Sequence, residues 1–227
     1  MLLLASGRGT RLGAEIPKAY VPVRGVPLVV RSMRRLAALA DAREMVLAVH
    51  PEDREPHVAP LAAAFAELGR VTIVDGGATR QESMERAFAA TGADCDVVLV
   101  HDAARPFFPV AATRVALERA QANGGSLLAI RAPDTLKHVA DDGHVEHTVD
   151  RSHIWLAQTP QCVRRDSLIA ALAHASRTGF VGTDDVSLLE HAGIPVEVVV
   201  GDRLNLKITT PDDLVLAEAI AAVDDPR

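Results

Sequence analysis

From Ser6 to Lys18 the chain reads SGRGTRLGAEIPK, a glycine-rich and basic loop that follows directly on a short apolar run, Leu2 to Ala5. Glycines let backbone N–H groups approach an anion closely, and nearby arginines and a lysine supply charge where phosphates would sit. The chemistry this permits is nucleoside-triphosphate binding, with Ala5, Ser6, Gly7 and Gly9 as the wall of the site. Two familiar phosphate loops are excluded. A dinucleotide fingerprint needs a third glycine where Leu12 stands and an acidic residue after the next strand, but Tyr20 to Val23 leads into Arg24-Gly25. A Walker loop needs Lys and Ser or Thr after its last glycine, where this chain has Ala14-Glu15.

Three further constellations carry chemistry. HDAARP (His101 to Pro106) follows the apolar run Val97–Val100. An aspartate in that place can hold a magnesium ion that bridges phosphates, so Asp102 is the metal candidate and Arg105 its counter-charge. DGGATRQES (Asp75 to Ser83) follows Val71–Val74. Gly76 and Gly77 there permit close approach of a flat base, beside the hydroxyl of Ser83. NLKITTPDDL (Asn205 to Leu214) puts Asn205 and Lys207 on a short extended piece before a helix opened by Thr210-Pro211-Asp212-Asp213. Capping explains the acids, whereas a lysine at an apolar strand end points to an anion.

The elements that must hold these residues alternate along the chain. Strand-like runs are Leu2–Ala5, Met45–Val49, Val71–Val74, Val97–Val100, Leu127–Ile130 and Val196–Val200. Amphipathic stretches at Leu28–Leu39, Val58–Leu68, Gln81–Ala90 and Val110–Ala122 have the apolar spacing of helices. This pattern predicts an α/β fold: a Rossmann-like, mostly parallel twisted sheet with helices on both faces, in a single domain over 1–227. Ligands of such sheets bind beyond the carboxyl ends of the strands, where the glycine loop lies. Leu136 to Val149 breaks the rhythm with two polar-apolar runs around Asp142-Gly143, a hairpin signal. It reads as a projecting β-arm (136–149) that a second subunit would cover.

Composition sets the outer limits. The 30 acidic and 24 basic side chains leave a net charge of -6, with no basic stripe for nucleic acid. No run is long enough to span a membrane, and Leu2 to Ala5 is too short for a signal-peptide core, so a cytoplasmic protein is expected. Cys95 and Cys162 are far apart and read as free thiols. The nine histidines are scattered without HExxH spacing, so the linear sequence offers no structural zinc site.

ASGRGTRLG with Pro17-Lys18, GGATRQES, HDAARP, Asp134-Thr135 with Lys137, TVDRSHIW, QTPQ, TDDVSLLE and NLKITTPDDL occur in this order. Together they resemble the nucleotidyltransferases that make CDP-sugar-alcohols, above all the 2-C-methyl-D-erythritol 4-phosphate cytidylyltransferase family, from Leu2 to about Ala221. The resemblance implies CTP and methylerythritol phosphate as substrates, Mg²⁺ as cofactor, and a homodimer built through the arm. It implies that Arg11, Lys18 and Lys207 are catalytic and that Asp102, with Asn205, serves the metal. Gly77, Ala78 and Ser83 would border the cytosine, where Ala78 can offer only its backbone. Arg105, Thr159, Thr183 and Lys207 would surround the acceptor phosphate, and Thr135 and Arg151 would reach into the partner's site. Ribitol-5-phosphate cytidylyltransferases share several of these motifs and are the nearest rival; TVDRSHIWLAQTPQ favours the methylerythritol enzymes. A non-catalytic nucleotide-binding module is the rival of another class, opposed by the joint presence of Arg11, Lys18, Asp102 and Lys207.

Overall fold

The computed structural model describes residues 1–9, 12–14, 16–39 and 44–224. Its strands are β1 (Leu2–Leu4), β2 (Pro22–Val23), β3 (Val26–Pro27), β4 (Met45–Val49), β5 (Val71–Asp75), β6 (Val97–Asp102), β7 (Gly125–Arg131), β8 (Leu136–Val139), β9 (Val145–Val149), β10 (Trp155–Arg164) and β11 (Val196–Val200). Its α-helices are α1 (Leu28–Ala37), α2 (Ala62–Ala66), α3 (Arg80–Ala89), α4 (Val110–Asn123), α5 (Arg165–Thr178), α6 (Asp185–His191) and α7 (Pro211–Asp224).

Seven strands form one sheet in the order β11-β7-β10-β6-β1-β4-β5. The pairs β6–β1, β1–β4, β4–β5 and β7–β11 are parallel, and β10 runs antiparallel to both β6 and β7. The expected mostly parallel α/β sheet is therefore present. Strands β1 and β4 are buried along their whole length, as near-continuous Leu, Val and Ala runs require. Side chains alternate between two cores. Leu3, Leu47 and Leu99 pack against Val29, Met33 and Leu36 of α1 and Ala116 and Ala120 of α4. Leu2, Leu4, Val98 and Val100 pack against Met84 and Phe88 of α3, Leu168 of α5 and Leu188 of α6. Helix α7 closes a smaller core with Val23, Leu28, Phe107 and Ile208.

Three elements differ from the sequence expectation. The stretch 54–61 forms a wide π turn followed by a tight 3-10 turn, and the α-helix proper is only α2. Pro60 lacks the N–H that a helix interior would use. Strand β10 was hidden because it contains the polar, proline-bearing QTPQ. Its register shifts between Ala157 and Gln161, and Pro160 sits inside that irregularity, where a ladder donor is not required. Lys207 lies on irregular backbone, anchored by the Ile208 N–H bonding the Ala104 carbonyl at 2.9 Å, rather than on a strand. The arm is as expected: β8 and β9 pair antiparallel, and Gly143 turns between them at φ 87°.

Candidate active site

The register that pairs Leu4 with Asp102 brings β1 and β6 to a common carboxyl edge. The loops leaving β1, β5 and β6 surround a cleft of about 220 Å³. Ala5, Ser6, Gly7 and Lys18 line one side, Gly77, Ala78, Thr79 and Arg80 another, and Asp102 and Lys207 complete it. Gly9 has φ +62°, and a Cβ there would lie 2.5 Å from the Lys18 Cβ. Only glycine lets the first loop fold onto the stem of Lys18. The expected wall and the basic residue thus converge through a backbone constraint. Arg11 lies outside the described residues.

Ser83 braces this edge from beneath. Its hydroxyl donates to the Thr79 carbonyl at 2.9 Å, so it accepts from the Ser6 hydroxyl at 2.8 Å and the Gly77 N–H at 3.0 Å. The side chain is buried, and all of its bonding capacity ties the two glycine loops together. The Ala78 N–H, the group expected to meet a base, donates to the Glu82 carboxylate at 2.8 Å. A base using that donor must displace Glu82.

The charged centre is larger than the sequence indicated. Lys207 Nζ bonds Asp102 Oδ2 at 2.7 Å, and Arg80 Nε bonds Asp102 Oδ1 at 3.2 Å. Arg80 also grips Asp185 in a bidentate pair, at 2.8 and 2.7 Å. Burial alone would raise the Asp102 carboxyl, but Arg80 and Lys207 outweigh it and hold the group well below the usual carboxylate range. Asp102 is thus a permanent anion between two cations. Asp185 is set by β10: buried Gln161 accepts from the Asp185 and Val186 N–H groups at 2.9 and 3.1 Å and donates to Asp184 at 2.7 Å. Asp184 caps α6 in a capping box with Ser187, which leaves Asp185 for Arg80. The sequence motifs hold both Arg80 and Asp185 without marking them as partners. The available signal was a second consecutive aspartate where one suffices as a cap.

A second network fixes the backbone under Asp102. His101 is fully buried, which lowers its imidazole to about 3 and keeps it neutral. Its Nε2 lies 2.9 Å from the Arg105 carbonyl, which can only accept, so Nε2 carries the proton. Nδ1 then accepts from the Thr159 hydroxyl at 2.9 Å, and that oxygen accepts from the Asp102 N–H at 3.1 Å. Thr159, expected near the acceptor, is buried and committed to this chain of bonds. Arg105 likewise turns to protein, donating to the Asn205 carbonyl at 2.8 Å.

Asn205, expected at the metal, is fully buried and is not among the residues lining the cleft. Its amide NH2 donates to Gln158 and the Thr159 carbonyl at 3.2 and 2.9 Å, which ties it to the irregular part of β10, while its Oδ1 has no hydrogen-bond partner among the described residues. Among the described residues lining the cleft, Asp102 alone is acidic. One carboxylate beside basic groups suits a magnesium ion held mainly by substrate phosphates and water, because each carboxylate oxygen keeps a second acceptor position. The residues present therefore fit the ion through Asp102. Thr183 is exposed just before the α6 cap. Thr135 and Arg151 are exposed at the arm base, and none of the three lines this cleft. Arg151 bonds the Pro133 carbonyl.

A family profile described as 2-C-methyl-D-erythritol 4-phosphate cytidylyltransferase matches residues 1–222. The chain belongs to this family. A curated relative of that name from Syntrophus aciditrophicus is 38% identical over 224 residues, covering 98% of this chain and 95% of the relative. Another from Geotalea uraniireducens is 41% identical over 221 residues, covering 96% and 94%. The crystal structure of the 2-C-methyl-D-erythritol 4-phosphate cytidylyltransferase from Thermus thermophilus superposes with a TM-score of 0.79 at 36% identity, covering 97% of each chain. The 4-diphosphocytidyl-2C-methyl-D-erythritol synthase from Anaerococcus prevotii gives 0.83 at 26% identity, covering 96% and 93%. The likeness to this cytidylyltransferase family runs through both the cleft loops and the arm. Among the described residues, no helix is long and apolar enough to cross a membrane.

Proposed function

We propose that the chain joins CTP to 2-C-methyl-D-erythritol 4-phosphate, giving CDP-methylerythritol and pyrophosphate in non-mevalonate isoprenoid precursor synthesis. The observation that carries this reading is the family match over residues 1–222 coinciding with a cleft lined by Lys18, Arg80, Asp102 and Lys207, in which Arg80 and Lys207 bond Asp102. A phosphate monoester is mostly dianionic at neutral pH, since its second pKa is about 6. An acceptor oxygen attacks the CTP α-phosphorus, the new P–O bond forms, and the bond to the β-phosphate oxygen breaks with its electron pair leaving on pyrophosphate. No general base is needed. The obstacle is bringing two anions together, and fixed cations answer it.

Lys18 and Lys207 line the cleft and would bind the phosphates, with Arg11 as a third cation. Asp102 would hold the magnesium ion. When bound, the ion neutralises phosphate charge that the lysines do not reach. The glycine loop and the Gly77–Ala78 turn would orient the nucleotide. A second copy of the chain would cover the arm, whose Val139 and Val145 are 48% and 59% exposed. Thr135 and Arg151 would then serve the partner's acceptor.

The test is pyrophosphate release from CTP in parallel reactions with methylerythritol phosphate and ribitol 5-phosphate. Turnover dominated by methylerythritol phosphate is expected, and equal or better use of ribitol 5-phosphate would overturn the acceptor assignment. Sedimentation at low micromolar concentration checks the dimer.

A further inference from the structure

The arm brings together three side chains that the linear sequence separates. Strands β8 and β9 pair Leu136 with Val149, Lys137 with Thr148 and His138 with His147, then shift so that Val139 faces Val145. Glu146 is the extra residue of a bulge. In a regular strand it would point to the face opposite His147, because successive side chains alternate. The bulge makes two consecutive residues oppose one partner and re-aims the inserted side chain. Glu146 therefore joins His138 and His147 on one face. His138 Nδ1 lies 2.7 Å from Glu146 Oε2, and the two imidazole rings stack with centroids 4.9 Å apart. One ligand atom from each of the three residues falls within 4.8 Å of the others.

We propose that His138, Glu146 and His147 form a binding site for a divalent ion of the zinc class. Two imidazoles and one carboxylate are the donor set that zinc takes in three-ligand sites, with water in the fourth position. Tetrahedral ligand bonds of about 2.0–2.2 Å set neighbouring donors about 3.4 Å apart, so the His138–Glu146 pair at 2.7 Å must open slightly and the remaining gap, up to 4.8 Å, must close. All three side chains are exposed, so rotation about their side-chain bonds closes the gap without moving the hairpin. The bulge supplies the convergence, and the ion supplies the charge that draws the two imidazoles together. The site is separate from the cleft: none of its residues lines the cleft, and the donors differ from the oxygen set expected for magnesium.

The experiment is calorimetric titration of zinc chloride into untagged, chelator-treated full-length protein, alongside His138→Ala, His147→Ala, Glu146→Gln and His144→Ala chains. One zinc per chain with micromolar affinity is expected for the wild type. Loss of a first ligand should weaken binding by more than the ~10-fold that loss of a supporting hydrogen bond costs a metal site. The His144→Ala chain should bind like the wild type. Because the altered side chains are exposed, far-UV circular dichroism should show an unchanged fold in each. Absence of saturable uptake overturns the proposal, as does wild-type affinity in the His138, His147 or Glu146 variant.

Discussion

The cleft and the arm carry charge in opposite ways. In the cleft, Asp102 and Asp185 are buried and each meets Arg80 in defined geometry. On the arm, Lys137, His138 and Glu146 are exposed, and a two-stranded ribbon has no core of its own. The difference separates two tasks. Preorganised charge needs rigid, satisfied neighbours, whereas the arm, on the reading proposed above, keeps its groups in solvent until a second copy covers them. Each of the following changes breaks or sharpens that contrast.

The largest effect is expected from Asp185→Ala. It leaves the Arg80 guanidinium with Asp102 alone and removes the group that sets its direction. Losing one partner of a buried pair costs 3–5 kcal/mol, and because Arg80 is 27% exposed the cost should fall near the lower end, about 3 kcal/mol. For a chain of this size that lowers Tm by roughly 10 °C. A melting scan that moves by less than a degree would show that Arg80 does not depend on this partner.

Next in size is Lys18→Ala. Removing one well-placed electrostatic donor should lower turnover on the order of a hundredfold, with Tm nearly unchanged. Wild-type turnover would take the cleft out of the chemistry altogether.

His101 gives the cleft a pH signature. Its unfolded imidazole protonates below about 6.5, whereas the buried ring resists until about 3. Between those values the unfolded chain binds more protons, so stability falls as pH drops, by about 1.4 kcal/mol per unit for this one group. Denaturant midpoints measured from pH 7 to pH 4 should show this slope, and a His101→Gln chain should show it reduced. Identical slopes in both chains would place the titration elsewhere.

Legibility in the sequence followed the same division. Strands β4 and β11 have the bounds their apolar runs predict, and Lys18, Asp102 and Lys207 do meet at one edge. Each of these could be read locally, from an apolar run or from a charged residue within a short motif. Arg80 and Asp185 could not, because their partnership spans 105 residues and depends on Gln161 in a strand that reads as polar loop. Asn205 shows what local spacing leaves out. Its motif suggests a ligand, and in the fully buried amide Nδ2 bonds Gln158 and the Thr159 carbonyl while Oδ1 has no hydrogen-bond partner among the described residues. Side-chain destination depends on burial, which local spacing does not report. The convergence of His138, Glu146 and His147 was equally hidden, since it arises from a one-residue register shift.

At the arm, Arg151→Ala should leave Tm unchanged and raise KM for the acceptor by about 5-fold, the upper range for an exposed ionic contact. KM for CTP should stay constant. A rise confined to CTP would mean that Arg151 serves the nucleotide instead.

The smallest expected effect on the folded chain is that of Val145→Ser. Val145 is 59% exposed and faces Val139 at the bulged end of the hairpin, so its loss uncovers no core. Unfolding free energy should move by no more than about 0.5 kcal/mol, the usual range for surface positions. The arm's association with a second copy should respond much more, because apolar groups that are exposed in one chain are the ones an interface buries. Under the proposed pairing of two arms, sedimentation of the variant at a concentration that gives a wild-type dimer should therefore show monomer, with an unchanged melting curve for the dissociated chains. If Val145→Ser lowered the melting temperature of the isolated chain as much as Asp185→Ala does, the arm would be part of the folded core, and the contrast between the two regions would fail.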